Sequence, residues 1–133
     1  MAKEDKELLL RDLCARLPYG VIVDYKENEF EFPHWKITTI YPETLDGWIG
    51  YDKRVGAGSE SGSRPFNIGD VKPYLRPMSS MTDGEKTFYE YHKEGHCSAG
   101  WAYALVDWLN AHHFDYRGLI EKGLALEAKE GMY

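Results

Sequence analysis

At 133 residues, with 43% hydrophobic and 29% charged side chains, the chain has the size and composition of one folded domain that buries a single core without staples, not of a disordered polymer. A formal charge of −6 argues against a general nucleic-acid binder, because such a surface repels phosphate backbones, while a local basic patch stays compatible with it. No apolar run approaches the roughly 20 residues of a membrane span, no apolar segment follows Met1, and two cysteines do not make a disulfide scaffold, so the expectation is a cytoplasmic protein with no membrane contact and no cofactor.

In chain order, residues 3–17 predict an amphipathic helix, with Leu9, Leu10, Leu13, Cys14 and Leu17 as its apolar side, Glu4 and Asp5 in its first turn and Pro18–Gly20 as its stop. Cys14 is read as a small core residue. Val21–Tyr25 predicts a short strand. Phe30 and Phe32 alternate with Glu29 and Glu31, and Trp35, Ile37, Thr39 and Tyr41 alternate with Lys36, Thr38 and Ile40, the period of a sheet with one buried face. A turn over 42–47 and a return strand Trp48–Tyr51 complete an antiparallel meander, open or curled into a partly closed barrel. The Gly/Ser-rich stretch 53–65 predicts a mobile loop. Residues 66–75 predict one more strand, ended by Pro73 or placed by it on an edge.

A second helix starts in Ser79–Thr82, where Thr82 and Glu85 form a capping-box pattern, and carries Phe88, Tyr89 and His92 on its apolar side. Residues 99–113 predict a third helix with Trp101, Leu105, Trp108 and Leu109 on one face. Gly118, Gly123 and Gly131 leave room after it only for short turns or one strand. The fold class is therefore α+β: a small antiparallel sheet or partly closed β-barrel, an N-terminal helix and two C-terminal helices packed on one side. The sheet is expected to rest on Leu9, Leu13 and the Trp101/Leu105/Trp108 stripe, in a single domain spanning 1–133.

Four stretches carry chemistry worth weighing. The loop Gly56–Gly62 lacks the Gly-Lys-Ser/Thr of a phosphate loop, and Glu60 occupies the centre where a nucleophile elbow needs serine, so a hairpin connection is the simpler reading. His92 and His96, four apart, with Cys97 beside them, have metal-ligand chemistry, but Gly95 interrupts the helix that would align them. His112, His113, Asp115, Tyr116 and Arg117 gather two imidazoles, a carboxylate, a phenol and a guanidinium at a helix-to-loop transition. They suit ligand binding better than catalysis, since nothing there supplies a nucleophile. The same groups can equally serve as helix-end caps and loop ties. In Asp70–Pro77, two prolines bracket Tyr74, Leu75 and Arg76 and stiffen an extended segment that either presents a contact surface or simply connects sheet to helix.

The runs Leu13–Val21 (LCARLPYGV), Asp70–Thr82 (DVKPYLRPMSSMT) and Trp108–Ala128 (WLNAHHFDYRGLIEKGLALEA) together resemble a family of small proteins of unknown function encoded by gut-bacterial genomes, their phages and mobile elements. The resemblance implies a setting, an accessory protein of a phage or mobile element, and assigns no residue a role.

Three functions remain in view. The first is a non-catalytic binding or adaptor protein whose partner is another protein. The second is a small hydrolase or metal-dependent enzyme acting at His112, His113, Asp115 and Arg117. The third is a binder of a small anionic, nucleotide-like ligand, held by Arg64, Arg76 or Arg117 and stacked on aromatic rings.

Overall fold

The computed structural model describes residues 2–25, 35–55, 58–93 and 99–133. Helix α1 spans Lys3–Arg16, and its buried stripe is Leu9, Asp12, Leu13 and Arg16. That spacing, i, i+3, i+4, i+7, is one face of a helix. It is rotated from the all-apolar stripe expected, and the rotation puts Cys14 on the exposed side instead of in the core. What overrides the apolar pattern is an ion pair, because Asp12 and Arg16 go inside together. A single 3-10 turn, Leu17–Tyr19, follows and closes on Gly20, whose φ of 73° suits a residue without Cβ.

Six strands form one sheet: β1 Ile22–Tyr25, β2 Trp35–Tyr41, β3 Asp46–Val55, β4 Gly58–Asn67, β5 Val71–Leu75 and β6 Leu126–Glu127. Their order is β4-β3-β2-β1-β5-β6, so the sheet is open and does not close into a barrel. Every pairing is antiparallel except β5 with β6. Along β2 the alternation holds at Trp35 and Ile37 and then slips at a register shift between Ile37 and Thr39. Gly47 answers that irregularity from β3, where a Cβ would lie 2.0 Å from the Thr39 carbonyl oxygen. Phe30 and Phe32 lie outside the described residues.

The segment expected to be a loop over 53–65 is mostly strand. β3 continues to Val55, β4 begins at Gly58, and their pairing runs from Val55↔Gly58 to Asp46↔Asn67. Composition misleads there because the ladder is supplied by the partner strand, and the ring of Tyr51 covers the Gly62 backbone. Residues 66–75 are likewise two elements, since a 3-10 turn Ile68–Asp70 separates β4 from β5. Pro73 lies inside β5 opposite Val23, yet β6 pairs only with Tyr74 and Leu75, so the position is an edge on that side.

Leu9 and Leu13 of α1 pack on the sheet face formed by Val23, Trp35, Ile37, Ile49, Phe66, Val71 and Leu75. Val21, Tyr25 and Ile68 belong to the same core, and Leu119, Leu124 and Ala125 of the C-terminal turns complete it, with no described side chain of the third helix among them. Helix α2 spans Asp83–Lys93 and α3 spans Ala99–Ala111. Trp108 turns to α2 and the chain beyond α3, with its ring 4.7 Å from Phe88 and 5.6 Å from Phe114. Leu105 is only half-buried, and the Trp101 side chain lies outside the described ones. The capping box forms as its spacing requires: the Glu85 N–H donates to Thr82 Oγ1 at 3.2 Å, and the Thr82 N–H donates to Glu85 Oε1 at 2.9 Å. A 3-10 turn, Met78–Ser80, precedes the helix where the sequence suggests its start.

Candidate functional site

The end of α3 organises the most polar part of the molecule. The Phe114 N–H donates to the Leu109 carbonyl at 3.0 Å and the His113 N–H to the Asn110 carbonyl at 3.1 Å. This pair of bonds is the Schellman closure of a helix, with His113 at the left-handed position, φ 61°. Glycine normally fills that position, and a β-carbon there costs about 1–2 kcal/mol. Leu109 and Phe114, both buried, supply the apolar contact that accompanies the motif. Beyond it the chain is tied to the segment after β5: the Arg76 N–H donates to the His113 carbonyl at 2.7 Å and the Asp115 N–H to the Arg76 carbonyl at 2.8 Å.

The five residues expected to form one cluster separate into two groups. Asp115, Tyr116 and Arg117 serve the fold. Both Asp115 carboxylate oxygens are taken by backbone amides, Leu119 N–H at 2.8 Å and Ile120 N–H at 3.0 Å, which cap the turn that supplies Leu119 to the core. Arg117 donates to Asp12 Oδ1 at 3.0 Å. The Tyr116 hydroxyl donates to Asn110 Oδ1 at 2.8 Å, and the guanidinium carbons of Arg117 and Arg16 lie 4.7 and 5.3 Å from the Tyr116 ring centre. Arg16, fully buried, donates to both oxygens of Asp12 at 2.8 and 3.1 Å and to the Phe114 carbonyl at 2.6 Å. This Asp12–Arg16–Arg117 network is invisible to motif reasoning. Its one sequence signal is an opposite-charge pair four apart on α1, three residues after Leu9 and Leu13 respectively.

His112 and His113 form the second group. They border an open cleft of about 450 Å³ together with Lys36, Arg76, Tyr19 and Tyr133. His112 donates from Nδ1 to the Trp108 carbonyl at 2.9 Å, and its ring lies 4.7 Å from Trp108. His113 is 7% exposed, stacks on Tyr133 with ring centres 3.6 Å apart, and has a buried Nδ1 without a hydrogen-bond partner. Burial pushes its pKa down to about 4, and the charges of Arg16, His112, Arg76 and Lys36 push the same way. At neutral pH the imidazole is therefore uncharged. The Tyr133 hydroxyl receives the Ile22 N–H at 3.0 Å and donates to the Tyr74 carbonyl at 2.7 Å, and burial raises its pKa to about 12.

Arg76 is held by Glu85 in a two-pronged pair, 3.1 and 2.8 Å, and covers the Phe114 ring at 4.2 Å. That pairing, with the Thr82 amide, draws the Glu85 pKa down to about 2. Tyr74 is half-buried, with Lys129 Nζ 6.0 Å from its ring centre. Burial, helped by Asp24, raises its phenol pKa. The His92 ring lies 4.2 Å from that of Phe88 at a tilt of 53°, while His96 and Cys97 lie outside the described residues. Among the described residues no three His, Cys, Asp or Glu side chains gather where they can hold a metal ion, and no helix is long and apolar enough to cross a membrane. Comparison with family models, curated proteins and solved structures gives no match.

Proposed function

We propose that the chain is a non-catalytic binding protein that docks on another protein through its α2–α3 hairpin, in the phage or mobile-element setting that its resemblance suggests. The observation that carries this reading is the exposure of α3. A helix as rich in apolar residues as α3 normally turns most of them inward, yet Tyr103 is 77% exposed and Val106 41%. Phe88 on α2, 39% exposed, packs against Trp108 of α3, and none of the α2 side chains is buried. Exposed Asp83, Lys86, Glu90 and Lys93 on α2 and Asp107 on α3 mix both signs around these helices, so the fitting partner presents an apolar groove with a rim of mixed charge.

The hydrolase alternative finds less support. Its orienting carboxylate, Asp115, already accepts two backbone amides, and its cation, Arg117, is paired with Asp12.

A photo-crosslinking residue at position 103, with the same residue at exposed position 121 as control, tests the proposal in the native host. One discrete heterologous adduct at 103 that is lacking at 121 supports it. No adduct, or an adduct of two copies of this chain, overturns it.

A further inference from the structure

We propose that the cleft between β1–β2 and the end of α3 binds a small oxyanion, a phosphoryl or carboxylate group, through Lys36, Arg76, His112 and His113. Ile22 and Lys36 face each other across β1 and β2, which places the Lys36 ammonium at the cleft rather than in the core. Arg76 enters from the end of β5, and the two histidines from the closure of α3. The described lining carries no carboxylate side chain, in a protein whose net charge is −6, although Glu85 just outside it pairs with Arg76 and leaves Lys36 to supply most of the positive charge. A concave region of one sign in a chain of the other sign concentrates ligands of the overall sign. Burial is the main cause of the lowered His113 titration, and the charges that add to it belong to cationic groups.

A second observation is independent of charge. The chain keeps a histidine at the one position in the α3 closure where glycine is free of strain, and its side chain lines this cleft. Backbone strain held in place at a pocket points to a use for the side chain. The Nδ1 of His113 is buried without a partner, so the tautomer that leaves no buried N–H unsatisfied carries the ring proton on Nε2 as a hydrogen-bond donor. Tyr19, 37% exposed, offers a ring beside the cationic groups, so the anion's carrier is a small molecule with a flat apolar part.

The test is a titration of the full chain followed by the ring resonances of His112 and His113, using inorganic phosphate, a nucleoside monophosphate, benzoate and, as the ionic-strength control, chloride. Saturable shifts with phosphate and the monophosphate assign a phosphoryl site, and saturable shifts with benzoate assign a carboxylate site. In either case Lys36→Gln weakens binding about tenfold. His113→Gly relieves the backbone, keeps the fold by thermal melting, and weakens binding at least as much. The proposal is overturned if no anion saturates, if chloride at equal ionic strength reproduces the shifts, or if Lys36→Gln binds like the parent. Tyr103 variants leave this site unchanged, so its outcome is separate from that of the docking surface.

Discussion

Asp12 and Arg16 sit one turn apart on α1, both wholly withdrawn from water, and Arg16 reaches across to the Phe114 carbonyl 98 residues later. The pair converts the inner face of a helix into a strap on the end of α3. Removing one partner strands a buried charge. Asp12→Ala is expected to destabilise the protein by about 3–5 kcal/mol, whereas the double change Asp12→Leu with Arg16→Met restores much of that loss. Urea denaturation midpoints of the two variants and the parent check it. Equal losses for the single and double changes would show that the charge balance is not what matters.

Glycine 47 allows β3 to approach the irregular part of β2. Gly47→Ala drives a Cβ to 2.0 Å from a backbone oxygen that cannot move independently of the strand. A loss of about 3 kcal/mol or more is expected, at the top of the range for overpacking. Gly69→Ala meets nothing within 4 Å and is expected to change stability by about 0.5 kcal/mol or less. Thermal melting of the two variants separates the steric effect from the general effect of replacing glycine.

Acid stability should show two separable limbs. His113 has a pKa near 4 in the folded chain against 6.5 for the free side chain. The folded state thus binds fewer protons, and the stability this group contributes is complete above pH 6.5 and is lost as pH falls towards 4. The limb amounts to about 3 kcal/mol. His113→Asn, which tolerates the left-handed backbone, is expected to flatten the stability profile between those values.

Glu85 supplies the lower limb. Its pKa is near 2 in the fold against 4.5 when free. Its contribution is complete above pH 4.5 and disappears as pH falls through 2. The pair with Arg76 is partly exposed, so about 1 kcal/mol is the expected size. Glu85→Gln should remove this limb and leave the higher one, measured by chemical denaturation across pH 2–7.

Local features were legible in the sequence and remote ones were not. Thr82 and Glu85 are three residues apart, so the cap is a matter of spacing alone. The α1 span and the Trp35–Ile37 alternation follow from periodicity for the same reason. Cys14 lies outside its expected place in the core because Asp12 goes inside with Arg16, whose further partner, the Phe114 carbonyl, lies 98 residues away. The stretch 58–65 reads as a loop by composition, and only its pairing with β3 makes it a strand. At the candidate site, the run from His112 to Arg117 is conspicuous by residue type. Sequence cannot show that Asp115 and Arg117 turn inward to the fold while Lys36 and Tyr133 join the histidines from other parts of the chain.

The Tyr133 hydroxyl bridges Ile22 and Tyr74 across a separation of 111 residues on one side. The β3–β4 hairpin, by contrast, closes over two residues between Val55 and Gly58. The two kinds of contact run on different clocks. A hairpin forms in about 1–10 μs, while contacts between distant segments wait for the loop entropy to be overcome. The meander therefore has a structure to offer early, and the seam along β1, β5 and Tyr133 is sewn last. During synthesis, the α1 face carrying Asp12 and Arg16 stays without its partners until residues 114–117 have left the ribosome.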